Sequence, residues 1–132
     1  MNMDIKVDLK GITNLKETSK EMHPAMKGSF SESMKKVFEE SQYLVPVDTG
    51  ALKESGRLIT NVPDENNEHT AAVAIEYGND LVTYAMIVHE DLQYQHISPT
   101  QAKFLEVPFE RQRHPLLTAL RDRIDELFHE FR

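Results

Sequence analysis

The sequence predicts an α+β fold in which a small antiparallel sheet of three or four strands packs against a long N-terminal helix and a C-terminal helix. Three observations support this fold class. Apolar residues recur at helical spacing near both ends of the chain, they alternate with charged residues at the N-terminus, and they form a hairpin pattern in the middle. At 132 residues the chain is expected to form one domain, covering 1–132.

The N-terminal region predicts a short strand and then a long helix. Residues 5–9 alternate between apolar and charged side chains, which is the pattern of a half-buried strand. Asn14 followed by Glu17 gives a capping-type helix start, and Pro24 predicts a kink or the start of a second half of this helix. The stripe of apolar residues expected to face the core is Leu15, Met22, Met26, Phe30, Met34, Val37, Phe38 and Leu44.

The segment Val45–Leu52 predicts a rigid corner between two helices. Pro46 fixes its own φ and disfavours helical backbone in the residue before it, so the long helix must end here. Asp48 and Thr49 are side chains that cap a helix well, and we expect them to cap a new one. Gly50 permits a sharp turn or a close approach of another chain.

The middle of the chain predicts a short helix and three strands. The helix is expected over residues 49–55 and should end at Gly56. Residues 57–62 and 70–77 form a hairpin pattern joined by a long polar loop, with Val73, Ile75 and Tyr77 on one face of the second strand. The alternation in residues 81–89 favours a third strand over a helix.

The C-terminal third predicts two helices. Residues 98–101 (Ser-Pro-Thr-Gln) have the pattern of a capping box, and the short helix that follows should stop at Pro108. A longer helix with Pro115 near its start is the clearest helical pattern in the chain. Its apolar face consists of Leu116, Leu117, Leu120, Ile124, Leu127, Phe128 and Phe131.

The charge of the chain is concentrated in its middle. The net charge is −7, and residues 45–102 carry two Lys or Arg against nine Asp or Glu, whereas the segments on either side are balanced. Such a segment repels nucleic acid phosphates, so tight DNA binding through it is not expected. No apolar run is long enough to span a membrane, the N-terminus lacks the order of a secretory signal, and the absence of cysteine fits a cytosolic product.

One cluster of potential metal ligands invites an enzymatic interpretation. His89, Glu90, Asp91 and His96 are close in sequence, but the residue four after His89 is Gln93, so the His-Glu-x-x-His motif of zinc proteases is absent. A polar loop is the simpler interpretation. A small metal-dependent enzyme that uses His89, Glu90 and His96 remains an alternative.

Other catalytic and ligand-binding patterns are absent from the sequence. It contains no Gly-x-Ser-x-Gly elbow and no Gly-rich phosphate loop. The arginines near the C-terminus alternate with acidic residues, which is typical of a solvated helix face. Besides the metal enzyme, the acidic segment leaves open an adaptor that mimics DNA and binds a basic protein.

Three segments together resemble the tail-completion, or head–tail joining, proteins of the neck of long-tailed double-stranded DNA bacteriophages. The first is Val-Pro-Val-Asp-Thr-Gly-Ala-Leu-Lys-Glu-Ser at 45–55. The second is Tyr-Ala-Met-Ile-Val-His-Glu at 84–90, and the third is Lys-Phe-Leu-Glu-Val-Pro at 103–108. The residues that match the family pattern are Val45, Pro46, Asp48, Thr49, Gly50, Leu52, Ser55, Tyr84, Ala85, His89, Glu90, Lys103, Phe104, Leu105 and Pro108. Residues 91–95, where many members have a glycine-rich loop, depart from the pattern.

The resemblance implies a structural protein of the virion that acts by assembly. Such proteins form rings, six-fold in many cases, which join a DNA-filled head to a tail. The expected partners are further copies of the chain and neighbouring neck or tail proteins, and DNA passes through the channel without specific binding. The expected location is the neck of the virion, with assembly in the host cytoplasm. The resemblance implies no catalytic residue, metal or cofactor. We expect Thr49→Ala and Gly50→Val to impair folding or assembly.

Overall fold

The computed structural model describes residues 2–8, 16–60 and 70–130. The elements follow one another in the order β-α-α-β-β-α-α, with long helices near both ends of the chain. The predicted α+β fold class is confirmed. The bounds of the elements are β1 Asn2–Asp8, α1 Lys16–Leu44, α2 Ala51–Glu54, β2 Arg57–Ile59, β3 Thr70–Glu76, α3 Ala85–Glu90 and α4 Glu106–Glu130.

The described strands form an antiparallel sheet in the order β1-β3-β2. Ile75 of the central strand β3 pairs with Met3 of β1 on one side and with Leu58 of β2 on the other. The predicted pairing of the two hairpin strands is therefore confirmed, while the predicted polar loop between them, residues 63–68, lies outside the described residues. On the face predicted for the core, Val73, Ile75 and Tyr77 are fully buried.

The helix α1 is continuous through Pro24 and ends at Leu44, just before the predicted break. The N–H group of Val45 still donates to the carbonyl of Ser41, at 2.8 Å, which completes the last turn. The predicted start at Asn14 lies outside the described residues. The apolar stripe is confirmed where side chains are described, since Met26, Phe30, Met34, Val37 and Leu44 are buried.

The predicted short helix that starts at residue 98 is wrong. The Ser98–Pro99 peptide bond is cis, and the N–H groups of Gln101 and Lys103 donate to the carbonyls of Leu44 and His89 instead of to a helix. These long-range bonds hold the segment as a series of turns. A helix begins only at Glu106, where the structure starts α4.

The helix α4 includes Pro108, which was predicted to stop a helix. Proline is tolerated in a first turn, because the N–H groups there have no partner within the helix. Leu116, Leu120 and Leu127 are buried against the rest of the molecule as predicted, whereas Leu117 is exposed. Phe131 lies outside the described residues.

The predicted third strand over residues 81–89 is also wrong. Residues 85–90 form the helix α3, in which Ala85 and His89 are buried while Met86 and Ile87 are exposed. With Val82 just before the helix, buried positions recur after three and four residues, which is a helical period. None of the described helices is long and apolar enough to cross a membrane.

Candidate functional site

The three segments that carry the family resemblance lie close together in the fold. The carbonyl of Leu44, at the end of α1, accepts a hydrogen bond from the N–H of Gln101 at 2.9 Å. The carbonyl of His89 in α3 accepts one from the N–H of Lys103 at 2.7 Å. The segment before α4 is therefore tied by its backbone to both the corner and α3.

The corner has one buried and one exposed side. Val45 and Leu52 are buried at its two ends, and Gly50 adopts the left-handed backbone conformation, with φ of +90°. The prediction that Asp48 and Thr49 cap α2 is wrong, because Gly50 occupies the N-cap position and no side chain caps the helix. The hydroxyl of Thr49 accepts only a bond from the N–H of Ala51, at 3.3 Å. Gly50→Val would force a β-branched residue into a conformation that such residues avoid.

Ser55 connects the end of α2 to the end of β3. Its hydroxyl donates to the carbonyl of Leu52 at 2.6 Å and accepts from the N–H of Gly78 at 2.9 Å. Gly78 has a φ of +94°, and a Cβ there would lie 2.9 Å from the carbonyl oxygen of Val82. A serine and a glycine thus fix the path of the chain from the sheet towards α3.

His89 is a buried residue that joins α3 to the start of α4. The N–H of Glu106 donates to its Nε2 at 3.2 Å, so the proton of the neutral ring lies on Nδ1. Nδ1 in turn donates to a carboxylate oxygen of Glu90 at 2.9 Å. The ring also packs edge-on against Phe104, with the ring centroids 5.0 Å apart. His89 therefore satisfies an N–H group in the first turn of α4 and has no nitrogen left for another ligand.

Glu90 and Lys103 form an ion pair beside His89. The ammonium of Lys103 contacts Glu90 directly and lies 3.5 Å from a carboxylate oxygen of Glu106. The hydrogen bond from Lys103, followed by that from His89, lowers the pKa of the Glu90 carboxyl. The hydrogen bond to Glu90 is likewise the largest cause that raises the pKa of Lys103. Glu90 is half exposed, so this ion pair contributes less to the stability of the fold than the buried contacts do.

A buried hydrogen-bond network centred on Tyr77 lies beneath the three segments. The hydroxyl of Ser41 donates to the carbonyl of Phe38 at 2.7 Å, so the hydroxyl of Tyr77 donates to Ser41, also at 2.7 Å. Gln42 donates to both the Tyr77 hydroxyl and the carbonyl of Lys53, at 2.8 and 3.0 Å. Burial raises the pKa of the Tyr77 hydroxyl. We call Ser41, Gln42 and Tyr77 the Tyr77 network.

Apolar side chains of the third segment pack against this network. Phe104 and Leu105 are fully buried, and Pro108 is buried as well. The ring of Phe104 meets that of Tyr77 edge-on, with centroids 5.1 Å apart. Seven of the fifteen residues that match the family pattern are thus buried in the fold: Val45, Leu52, Ala85, His89, Phe104, Leu105 and Pro108.

An open groove of about 930 Å³ lies on the outer side of the same junction. Its walls are the corner at 46–52, the outer side of α3 with Tyr84, and the loop at 91–100. Large apolar side chains line it while remaining exposed to solvent. They are Val47, Tyr84, Ile87, Tyr94 and Ile97.

Among the described residues that line the groove, the charged carboxylates are Asp48 and Asp91. None of these lining residues is Lys or Arg. The imidazole of His96 also lies here, and its Nε2 is buried and has no hydrogen-bond partner in the described part of the chain. The groove therefore combines apolar contact area with a negative potential, which favours a basic and apolar occupant over DNA.

The metal-site alternative gains no support from this geometry. His89 uses both ring nitrogens within the fold, whereas His96 lines the groove. Across the described residues, no group of three or more His, Asp or Glu side chains is placed to hold a metal ion.

No protein-family model, curated protein or solved structure matches this chain. Its function is therefore inferred from its residues and their geometry.

Proposed function

We propose that the chain is a structural subunit of the neck of a long-tailed double-stranded DNA bacteriophage, where it completes the tail or joins it to the head as part of a ring. The observation that carries this proposal is that three segments distant in sequence lie together in the fold. The segments at 84–90 and 103–108 are hydrogen-bonded to each other, and Leu44, directly before the segment at 45–55, is bonded to Gln101, just before the third. A resemblance confined to scattered short motifs would not require them to meet.

The surface of the groove supports a role in assembly. Exposed apolar side chains gathered in one concave place are typical of surfaces that bind other proteins. The chain itself does not cover Val47, Ile87 or Ile97, which remain more than half exposed. A subunit that gains this burial only next to a neighbour fits a protein whose function is to assemble.

The acidic middle segment fits a protein that surrounds DNA without gripping it. If residues 64–91 face the channel, their negative charge repels the phosphates and lets DNA slide. A ring structure with these residues on its outer surface would contradict this orientation.

Deletion of the gene from a phage genome that encodes this chain tests the proposal. We expect DNA-filled heads and finished tails to accumulate separately, as seen by electron microscopy, and a plasmid copy of the wild-type gene to restore infectious particles. Infectious particles assembled without the chain, or the absence of the chain from purified virions, would contradict the proposed function.

A further inference from the structure

We infer that the groove of one copy receives the outer face of α4 from the next copy, so that copies join head to tail. This inference rests on the proposed function and specifies which surfaces meet in the assembly.

The groove sets the chemistry of its partner surface. Apolar side chains such as Ile97 need an apolar counterpart, and Asp48 and Asp91 need cations beside it. Two grooves cannot face each other favourably, because this would bring acidic residues against acidic residues. A symmetric contact through the groove is therefore disfavoured, and an asymmetric one requires a different surface of the chain.

The outer face of α4 has the complementary pattern. Arg113, Leu117 and Arg121 follow one another at intervals of four residues, which places them on one side of the helix. Leu117 is 54 % exposed, although α4 buries its neighbours Leu116 and Leu120. An apolar residue between two cations thus matches apolar residues flanked by carboxylates. We call Arg113, Leu117 and Arg121 the α4 stripe.

Both arginines of the α4 stripe are available for a partner. Arg113 is 64 % exposed, and among the described residues its ion pair is a long one with Glu110, at 3.7 Å. Arg121 is exposed, and no acidic residue in the described part of the chain forms an ion pair with it. By contrast, Arg111 is already engaged with Glu40 of α1.

The α4 stripe cannot fill the groove of its own chain. Among the described residues, the walls of the groove come from 46–52 and 84–100, and α4 is fixed by its buried face elsewhere in the fold. The contact must therefore form between copies. Because it joins two different surfaces, it leaves a free groove at one end and a free stripe at the other, and repeated contacts give a closed ring or an open filament.

Site-specific cross-linking tests this contact, and the lack of native cysteine makes the background clean. One protein carries Ile97→Cys in the groove, and a second carries Leu117→Cys on α4. After the two are mixed with a short thiol cross-linker, we expect a dimer that neither protein forms alone. A protein with both substitutions should give a ladder of dimers, trimers and larger species.

A matched control places the second thiol on a different helix, outside the α4 stripe. Lys36→Cys lies at an exposed position on α1 and should cross-link to the Ile97→Cys protein only at the rate of random collisions. Equal yields for the Leu117 and Lys36 pairs, at the same high concentration, would overturn the inference.

Charge reversal then tests the electrostatic part of the contact. In the mixed experiment, D48K and D91K are added to the Ile97→Cys protein, or R113E and R121E are added to the Leu117→Cys protein. Either pair of substitutions should lower the cross-linking yield roughly tenfold. The two reversed proteins together should recover most of it. Failure of this rescue would overturn the assigned pairing. If the chain formed rings in which Ile97→Cys and Leu117→Cys did not cross-link, the inference would be overturned while the proposed function stayed intact.

Discussion

The junction of the three motif segments has two sides that differ in how far the chain satisfies them. On the inner side, the Tyr77 network and His89 have their hydrogen bonds made, and Phe104 is fully enclosed. On the outer side, the groove exposes large apolar side chains and carries carboxylates without lysine or arginine. The inner side stabilises the fold, whereas the outer side stays exposed on a single copy of the chain.

This difference divides the residues of the family pattern into two groups. Val45, Leu52, Ala85, Phe104 and Leu105 are buried and are explained by folding. Asp48, Thr49 and Tyr84 line the groove and are exposed, so we expect them to contribute little to the stability of the chain. Matched substitutions on the two sides should therefore separate stability from assembly.

The largest expected difference is between Phe104→Ala and Ile97→Ala. Phe104 packs against both Tyr77 and His89, and its removal leaves a cavity that should cost about 4 kcal/mol in the free energy of unfolding. Ile97 is 87 % exposed, so its truncation should change that free energy by less than about 0.5 kcal/mol. Urea denaturation of both variants measures the two values. A similar loss for both would mean that the groove is part of the core.

Smaller effects are expected for alanine substitutions at two glycines, and these two effects have opposite signs. A Cβ on Gly56 would lie 2.5 Å from Nε2 of Gln42 and 2.6 Å from a ring carbon of Tyr77. Gly56→Ala should therefore disrupt the Tyr77 network and lower the free energy of unfolding by about 3 kcal/mol. Gly28 lies in α1 with open space around it, so Gly28→Ala should raise that free energy by about 0.5–1 kcal/mol.

Thermal and urea unfolding of the two glycine variants provide the comparison. If Gly56→Ala were as stable as the wild type, the buried side of the junction would have to be loosely packed, contrary to the distances above.

The sequence predicts the long elements well because their burial patterns extend over many turns. Where side chains are described, the predicted stripe of α1 is correct, that of α4 is correct except at Leu117, and the core face of β3 is correct. The short segments were misassigned where long-range contacts decide the conformation. The N–H groups of Gln101 and Lys103 bond to distant carbonyls, and no local pattern indicates this.

The Tyr77 network could have been detected only in part. Ser41 continues the apolar stripe of α1 after Met34 and Val37, and a polar residue on a buried face indicates a partner. The identity of that partner, a tyrosine 36 residues away, depends on the tertiary fold. The groove likewise arises from segments that only the fold brings together.

The smallest expected effect is electrostatic and concerns Glu90, at the edge between the two sides. Its folded pKa is lowered, chiefly by Lys103, so its ion pair stabilises the fold above the unfolded pKa and is lost as the pH falls through the folded pKa. The raised pKa of Lys103 means that its share persists through neutral pH and is lost only as the pH rises through that folded pKa. Glu90→Gln, which can still accept the hydrogen bond from His89, should therefore be less stable than the wild type at neutral pH and should approach it in acid. Glu39→Gln provides the control, since no described residue forms an ion pair with Glu39, and urea titrations from acidic to neutral pH should show a pH-dependent difference for Glu90→Gln alone. An equal pH dependence for both variants would mean that the Glu90–Lys103 pair does not stabilise the junction.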